Sequence, residues 1–162
     1  MSERSSDLSH LGSDGSPRMV DVSAKAVTVR EAVARGRVQI ASAAMKRVRA
    51  GDLPKGGVVE VARLAGIMAA KRTADVIPLC HPLPLDHVDV SLTPRRDGYA
   101  IEARVRTQAK TGAEMEALHA VSVAALTVYD MVKALDTTIV IGEIRLVAKT
   151  GGKSGRFPAS AR

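Results

Sequence analysis

The chain has 162 residues, a net charge of +7 and a composition that is 46% hydrophobic but only 2% aromatic, with no Trp. This length fits one domain with a core of Ala, Val, Leu, Ile and Met, and the single cysteine, Cys80, excludes an internal disulfide. The basic excess calls for an anionic partner. Tyr99, Tyr129 and Phe157 are too few to stack single-stranded bases, so a small phosphorylated ligand fits at least as well as nucleic acid. No apolar run resembles a signal or membrane span, which sets a cytoplasmic location as the expectation.

Residues 1–17 are rich in Ser, Gly and Asp and are expected to be disordered, followed by one domain over 18–157 and a tail at 158–162. MVDVS and AVTVREAVARGRVQI alternate β-branched and polar residues around Gly36, which predicts strands in a hairpin. ASAAMKRVRAGD predicts a short helix closed by Gly51. After the loop DLPKGG, a second helix is predicted over VVEVARLAGIMAAKRTADVI, with Val61, Leu64, Ala65, Met68 and Ala69 on its apolar face. Beyond the PLCHPLPL segment, HVDVSLTP and GYAIEARVRTQAK predict a strand pair with a tight connection at Arg95 to Gly98.

The longest helix is predicted from about Ala113 to Leu135, with Thr111 as its cap and Glu114 as the capping-box partner. Its middle is apolar nearly all round and rich in small residues, which implies burial on most sides and suggests a subunit interface. A last strand in TTIVIGEIRLVAKTGG is interrupted at Gly142. Helices among mostly antiparallel strands imply an α+β fold, one sheet with helices on one face.

Several groups are candidates for chemistry. Asp130 and Lys133 share a helix face, either as an ordinary surface ion pair or as a catalytic acid and base held by a rigid element. Cys80 and His81 are adjacent in a proline-bracketed stretch, where an extended chain points them to opposite sides, so they make a poor joint metal site. Lys25, Lys55, Lys149 and Lys153 lie in or beside predicted loops; convergence makes them a phosphate clamp, and crowding then depresses a lysine pKa. GlyLysSer at 152–154 imitates the end of a P-loop, but Val147 stands where the earlier glycine belongs and Pro158 where the helix should run.

Taken together, MVDVSAK, AGIMAAKRT, IPLCHPL, KTGAEMEAL, ALTVYDMVKA and AKTGGKSG resemble the signature segments of the cyclic pyranopterin monophosphate synthase family, the C protein of molybdenum-cofactor biosynthesis. The resemblance runs from about Leu8 to Phe157 and implies a ferredoxin-like subunit in a hexamer of three dimers, with active sites at dimer interfaces. It implies a lyase that rearranges 3′,8-cyclo-7,8-dihydro-GTP to the pyranopterin, closing a cyclic phosphate and releasing pyrophosphate. Matched by position, the catalytic residues are Asp130, Lys133 and Lys55. The substrate-binding residues are Asp21, Lys25, Cys80, His81, Glu114, Met115, Glu116, Met131, Lys149 and Lys153. The expectation includes no metal site and no required cofactor, with Mg²⁺ left open as companion to the triphosphate, and neither nucleic acid nor membrane as partner. The competing reading is a non-catalytic basic module that binds nucleic acid or acidic partners.

Overall fold

The computed structural model describes residues 14–52 and 56–152, and the backbone of 157–158. Lys55 and Lys153 lie outside the described residues, as does most of the N-terminal segment expected to be disordered.

The elements in order are β1 (Thr28–Gln39), α1 (Ser42–Arg49), α2 (Val58–Lys71), α3 (Thr73–Val76), β2 (Leu85–Arg95), β3 (Gly98–Ala109), α4 (Glu114–Val132), β4 (Val140–Thr150) and β5 (Phe157–Pro158). The sheet order is β2-β3-β1-β4-β5, with every neighbouring pair antiparallel. This β-α-β-β-α-β succession, in which β3 inserts beside β1 and β1 separates β3 from β4, is the ferredoxin-like arrangement. It is an α+β fold with helices packed against one face of the sheet.

Period-two alternation sets the faces. On β3, Ile101, Ala103, Val105, Thr107 and Ala109 are buried, while Glu102, Arg104, Arg106 and Gln108 lie on the opposite face. α4 packs on β1, β3 and β4 beside α2, which itself rests on β2, and Ala117, Ala120, Val121, Ala124, Ala125, Val128 and Val132 are fully enclosed. Its apolar length rivals that of a membrane span, but the sheet and α2 cover only part of it, and Leu126 is 59% exposed.

Four local expectations are corrected. The first hairpin is absent: β1 runs unbroken through Gly36, and Met19 to Ser23 form no strand. Gly36 marks a close approach, since a Cβ there would stand 2.6 Å from Val121 Cγ1 of α4. The second predicted helix breaks at Arg72 into α2 and α3. Its inward face is Val58, Ala62, Gly66, Ala69 and Ala70, so of the predicted stripe only Ala69 is buried, while Val61, Leu64 and Met68 are exposed at 44, 59 and 44%. Small residues won the inner face because α2 packs tightly on α4. Finally, α4 is capped at Ala113 with no side-chain hydrogen bond, and its first-turn acids, Glu114 and Glu116, complement the positive helix end instead.

Two further expectations hold. α1 ends at Ala50 and Gly51 turns the chain out with a positive φ of 76°. The β2–β3 hairpin pairs from Arg95 opposite Gly98 to Leu85 opposite Thr107.

Candidate active site

At the N-terminal end of α4 a cavity of about 330 Å³ is lined by Lys25, Cys80, His81, Glu114, Met115 and Glu116, with Val20, Val22, Leu79, Leu83, Thr111 and Gly112 completing its wall. Six residues chosen from sequence thus meet in one place. Lys149, on the last turn of β4, joins them by donating from Nζ to Glu114 Oε1 at 3.0 Å. Both side chains of that pair are about 70% covered, at 28 and 30% exposed, so it is less screened than a surface ion pair. Asp21 stands beside the cavity. Its Oδ1 accepts from the Ser23 backbone N–H at 2.8 Å, and these Ser23 hydrogen bonds lower its pKa, helped by the nearby charges of Lys110 and His81.

Cys80 and His81 line the same cavity, contrary to the expectation that they point apart. The segment is not extended at this point: residues 77–79 turn, and the Cys80 N–H donates to the Ile77 carbonyl at 3.0 Å. Strand alternation does not apply to a turn. Burial, and secondarily the charge of Glu116, pushes the Cys80 thiol up, which keeps it protonated and poorly nucleophilic.

Glu116 is the most enclosed acid of the site, 4% exposed. Burial pushes its pKa up to about 6, with the Glu114 charge adding to the effect, so this carboxyl exchanges a proton near neutral pH.

The remaining candidates lie elsewhere. Asp130 and Lys133 stand at the other end of α4, about 21 Å and about 25 Å along the axis from Glu116 at 1.5 Å per residue. Lys133 Nζ meets Asp130 Oδ1 at 2.7 Å, with the two side chains 54 and 55% exposed. That hydrogen bond and charge raise the Lys133 pKa. The neighbour that dominates Lys133 is this carboxylate. Met131, one residue from the pair, is 5% exposed and belongs to the core. No three His, Cys, Asp or Glu side chains converge to hold a metal ion among the described residues.

Lys110 was not singled out from sequence. Its Nζ donates to the Ser23 carbonyl at 2.7 Å, while Arg30 donates to the carbonyls of Ala109 and Lys110 at 3.0 and 3.2 Å. The first of these contacts ties the segment whose Val20, Val22 and Lys25 line the cavity to the residues before α4. The signal was available in KTGAEMEAL, whose first residue is that lysine.

The sequence profile of the MoaC family matches residues 19–152. A protein of Roseiflexus sp. named cyclic pyranopterin monophosphate synthase is 60% identical over 154 residues, covering 94% of this chain and 98% of its own length. Proteins of the same name from a Nostoc species and from Heliobacterium modesticaldum are 57 and 60% identical, over 96 and 93% of this chain and 94 and 96% of their own. A match of this extent, with the motif residues gathered as described, places the chain in the MoaC family.

Proposed function

We propose that this chain is a cyclic pyranopterin monophosphate synthase, a lyase that converts 3′,8-cyclo-7,8-dihydro-GTP to cyclic pyranopterin monophosphate with release of pyrophosphate in molybdenum-cofactor biosynthesis. The observation that carries the reading is near-full-length identity of 57–60% to proteins of that name, together with the meeting of Lys25, His81, Glu114, Glu116 and Lys149 at one cavity.

The chemistry follows from the groups available. Closing the cyclic phosphate forms an O–P bond from a substrate hydroxyl to the α-phosphorus and breaks the P–O bond to the β-phosphate. The hydroxyl proton must leave and the departing pyrophosphate must be stabilised. Lys25 and Lys149 supply positive charge for the phosphates. Glu116, poised near pH 6, suits proton exchange with the rearranging ring. Lys133, with its raised pKa, is a proton donor or stabiliser of developing negative charge before it is a base. Lys55 joins the catalytic set and Lys153 the binding set by position in their motifs.

Asp130 and Lys133 are too far from the cavity of their own chain to share its substrate, so each active site combines the cavity of one protomer with the α4 C-terminal end of another. The assembly is a hexamer of three dimers, and the exposed Val61, Leu64 and Met68 of α2 supply apolar surface for such contacts. The enzyme is cytoplasmic and requires no resident cofactor, with Mg²⁺ as a companion of the triphosphate at most. Neither nucleic acid nor membrane is a partner, and no observation favours the non-catalytic reading.

The decisive experiment is incubation with the cyclised nucleotide and detection of pterin and pyrophosphate; neither product forming defeats the proposal. The shared site has its own test. Lys133→Ala and Lys149→Ala, each impaired alone, are unfolded and reassembled together, and about a quarter of wild-type turnover returns if a random mixture regenerates intact composite sites. Recovery no greater than the sum of the two variants excludes composite sites.

A further inference from the structure

The sheet face away from the helices carries charges from three strands, and over most of it they pair. Glu31 accepts from Arg104 at 2.7 Å and from Arg106 at 2.9 Å, and Arg35 Nε donates to Glu102 at 2.7 Å. Toward the β2–β3 turn the matching runs out. There Arg35, Arg37, Arg95, Arg96 and Arg145 line a cleft of about 440 Å³ whose only acids are Asp97 and Glu143. Arg37 holds Asp97 at 2.8 Å and stands 3.9 Å from Glu143, which is also 3.9 Å from Arg145. Arg95 and Arg96 have no carboxylate partner among the described residues. The cleft shares no lining residue with the cavity at the start of α4.

The backbone around these arginines is fixed. Gly98 has a φ of 137°, and a Cβ there would collide with the Val38 carbonyl, so the turn sits hard against β1. The Arg95 carbonyl accepts from Arg49 at 2.6 Å, and the Ile40 N–H donates to the Asp97 carbonyl at 2.9 Å. On the opposite wall Glu143 has a φ of 55°, a left-handed conformation uncommon for a residue with a Cβ, at the irregularity where β4 loses register with β1.

We propose that this cleft is a second anion site, which binds a diphosphate group through Arg95 and Arg96 with Arg35, Arg37 and Arg145 completing the positive wall. Guanidinium forks match phosphate oxygens two at a time, and the two neighbouring forks without a carboxylate partner, Arg95 and Arg96, suit two phosphoryl groups; counting Glu102 on Arg35, five arginines face three carboxylates. The volume falls within the range of small-ligand sites. The cleft wall offers no aromatic ring on which to stack a base, so recognition runs through the phosphates alone. Free pyrophosphate and the phosphate chain of a nucleoside triphosphate share this chemistry.

The test is titration calorimetry of the full chain with pyrophosphate, orthophosphate and GTP, on wild type, Lys149→Ala and the Arg95→Ala/Arg96→Ala double variant. The expected result is pyrophosphate binding at least tenfold tighter than orthophosphate, retained in Lys149→Ala and weakened about tenfold or more in the double variant. GTP displacing pyrophosphate identifies the nucleotide as a source, and GTP failing to do so identifies free pyrophosphate. Unchanged affinity in the double variant, loss of all binding in Lys149→Ala, or equal affinity for orthophosphate each overturns the proposal. Should the alanine pair fail to fold, Arg95→Lys/Arg96→Lys keeps the charge without the fork, and an affinity equal to wild type then counts against the site.

Discussion

The two ends of α4 are built for different conditions. At its start, Glu114 and Lys149 are mostly covered, Glu116 is buried and turns from three segments close a cavity around them. At its end, Asp130 and Lys133 form an ion pair more than half exposed. A carboxyl at the covered end has its pKa driven chiefly by desolvation, while the lysine at the open end responds chiefly to its hydrogen-bonded partner. One chain therefore presents a cavity at one end of α4 and an exposed ion pair at the other. The composite site proposed above would join these two ends across protomers.

The comparison breaks most visibly in turnover. Lys133→Ala is expected to lower kcat by about a hundredfold or more while leaving the melting temperature nearly unchanged, because an acid–base group contributes at that scale and an exposed pair adds little stability. A variant with wild-type kcat would reduce the open end to an ordinary surface pair. At the covered end, Lys149→Ala is expected to raise KM by about tenfold to a hundredfold, as loss of a charged hydrogen bond to phosphate does, with a smaller effect on kcat. Steady-state kinetics separating the two parameters decides this, and a pure kcat effect would move Lys149 from binding to chemistry.

The helix itself is probed by Gly36→Ala, which brings a methyl against Val121 and is expected to cost about 1–3 kcal/mol in denaturant unfolding through overpacking. An unchanged midpoint would mean that α4 can shift off β1 without loss. The smallest expected effect belongs to Glu116→Gln. The raised pKa of about 6 means that the native chain loses stability as pH rises from the unfolded carboxyl value through 6, where a buried charge must form. The glutamine variant should therefore melt slightly higher than wild type at pH 7.5, with the advantage vanishing below about pH 4.5. Thermal melts across that range check the sign.

Much of this molecule was legible in order along the chain. The β2–β3 hairpin, the short α1 closed by Gly51 and the long α4 all show periodicity that their neighbours do not contradict. β1 was misread because a glycine inside an alternating run looks like a turn, whereas here its missing side chain admits Val121. The face of α2 was misread because hydrophobicity alone favours Val61, Leu64 and Met68, while the close approach to α4 turns Ala62, Gly66, Ala69 and Ala70 inward. The site residues were legible through their motifs, but Lys110 and the lining by Val20 and Val22 became visible only once their segment was seen tied to the residues before α4.

The sequence by itself determined the α+β class, the basic character and the identity of the charged motifs, since these follow from composition, periodicity and spacing along one chain. Only the tertiary structure decided that Glu114 meets Lys149, that Cys80 and His81 face one cavity and that Asp130 and Lys133 stand far from it. The physical reason is that burial and pairing are set by packing between distant segments, which local pattern does not encode.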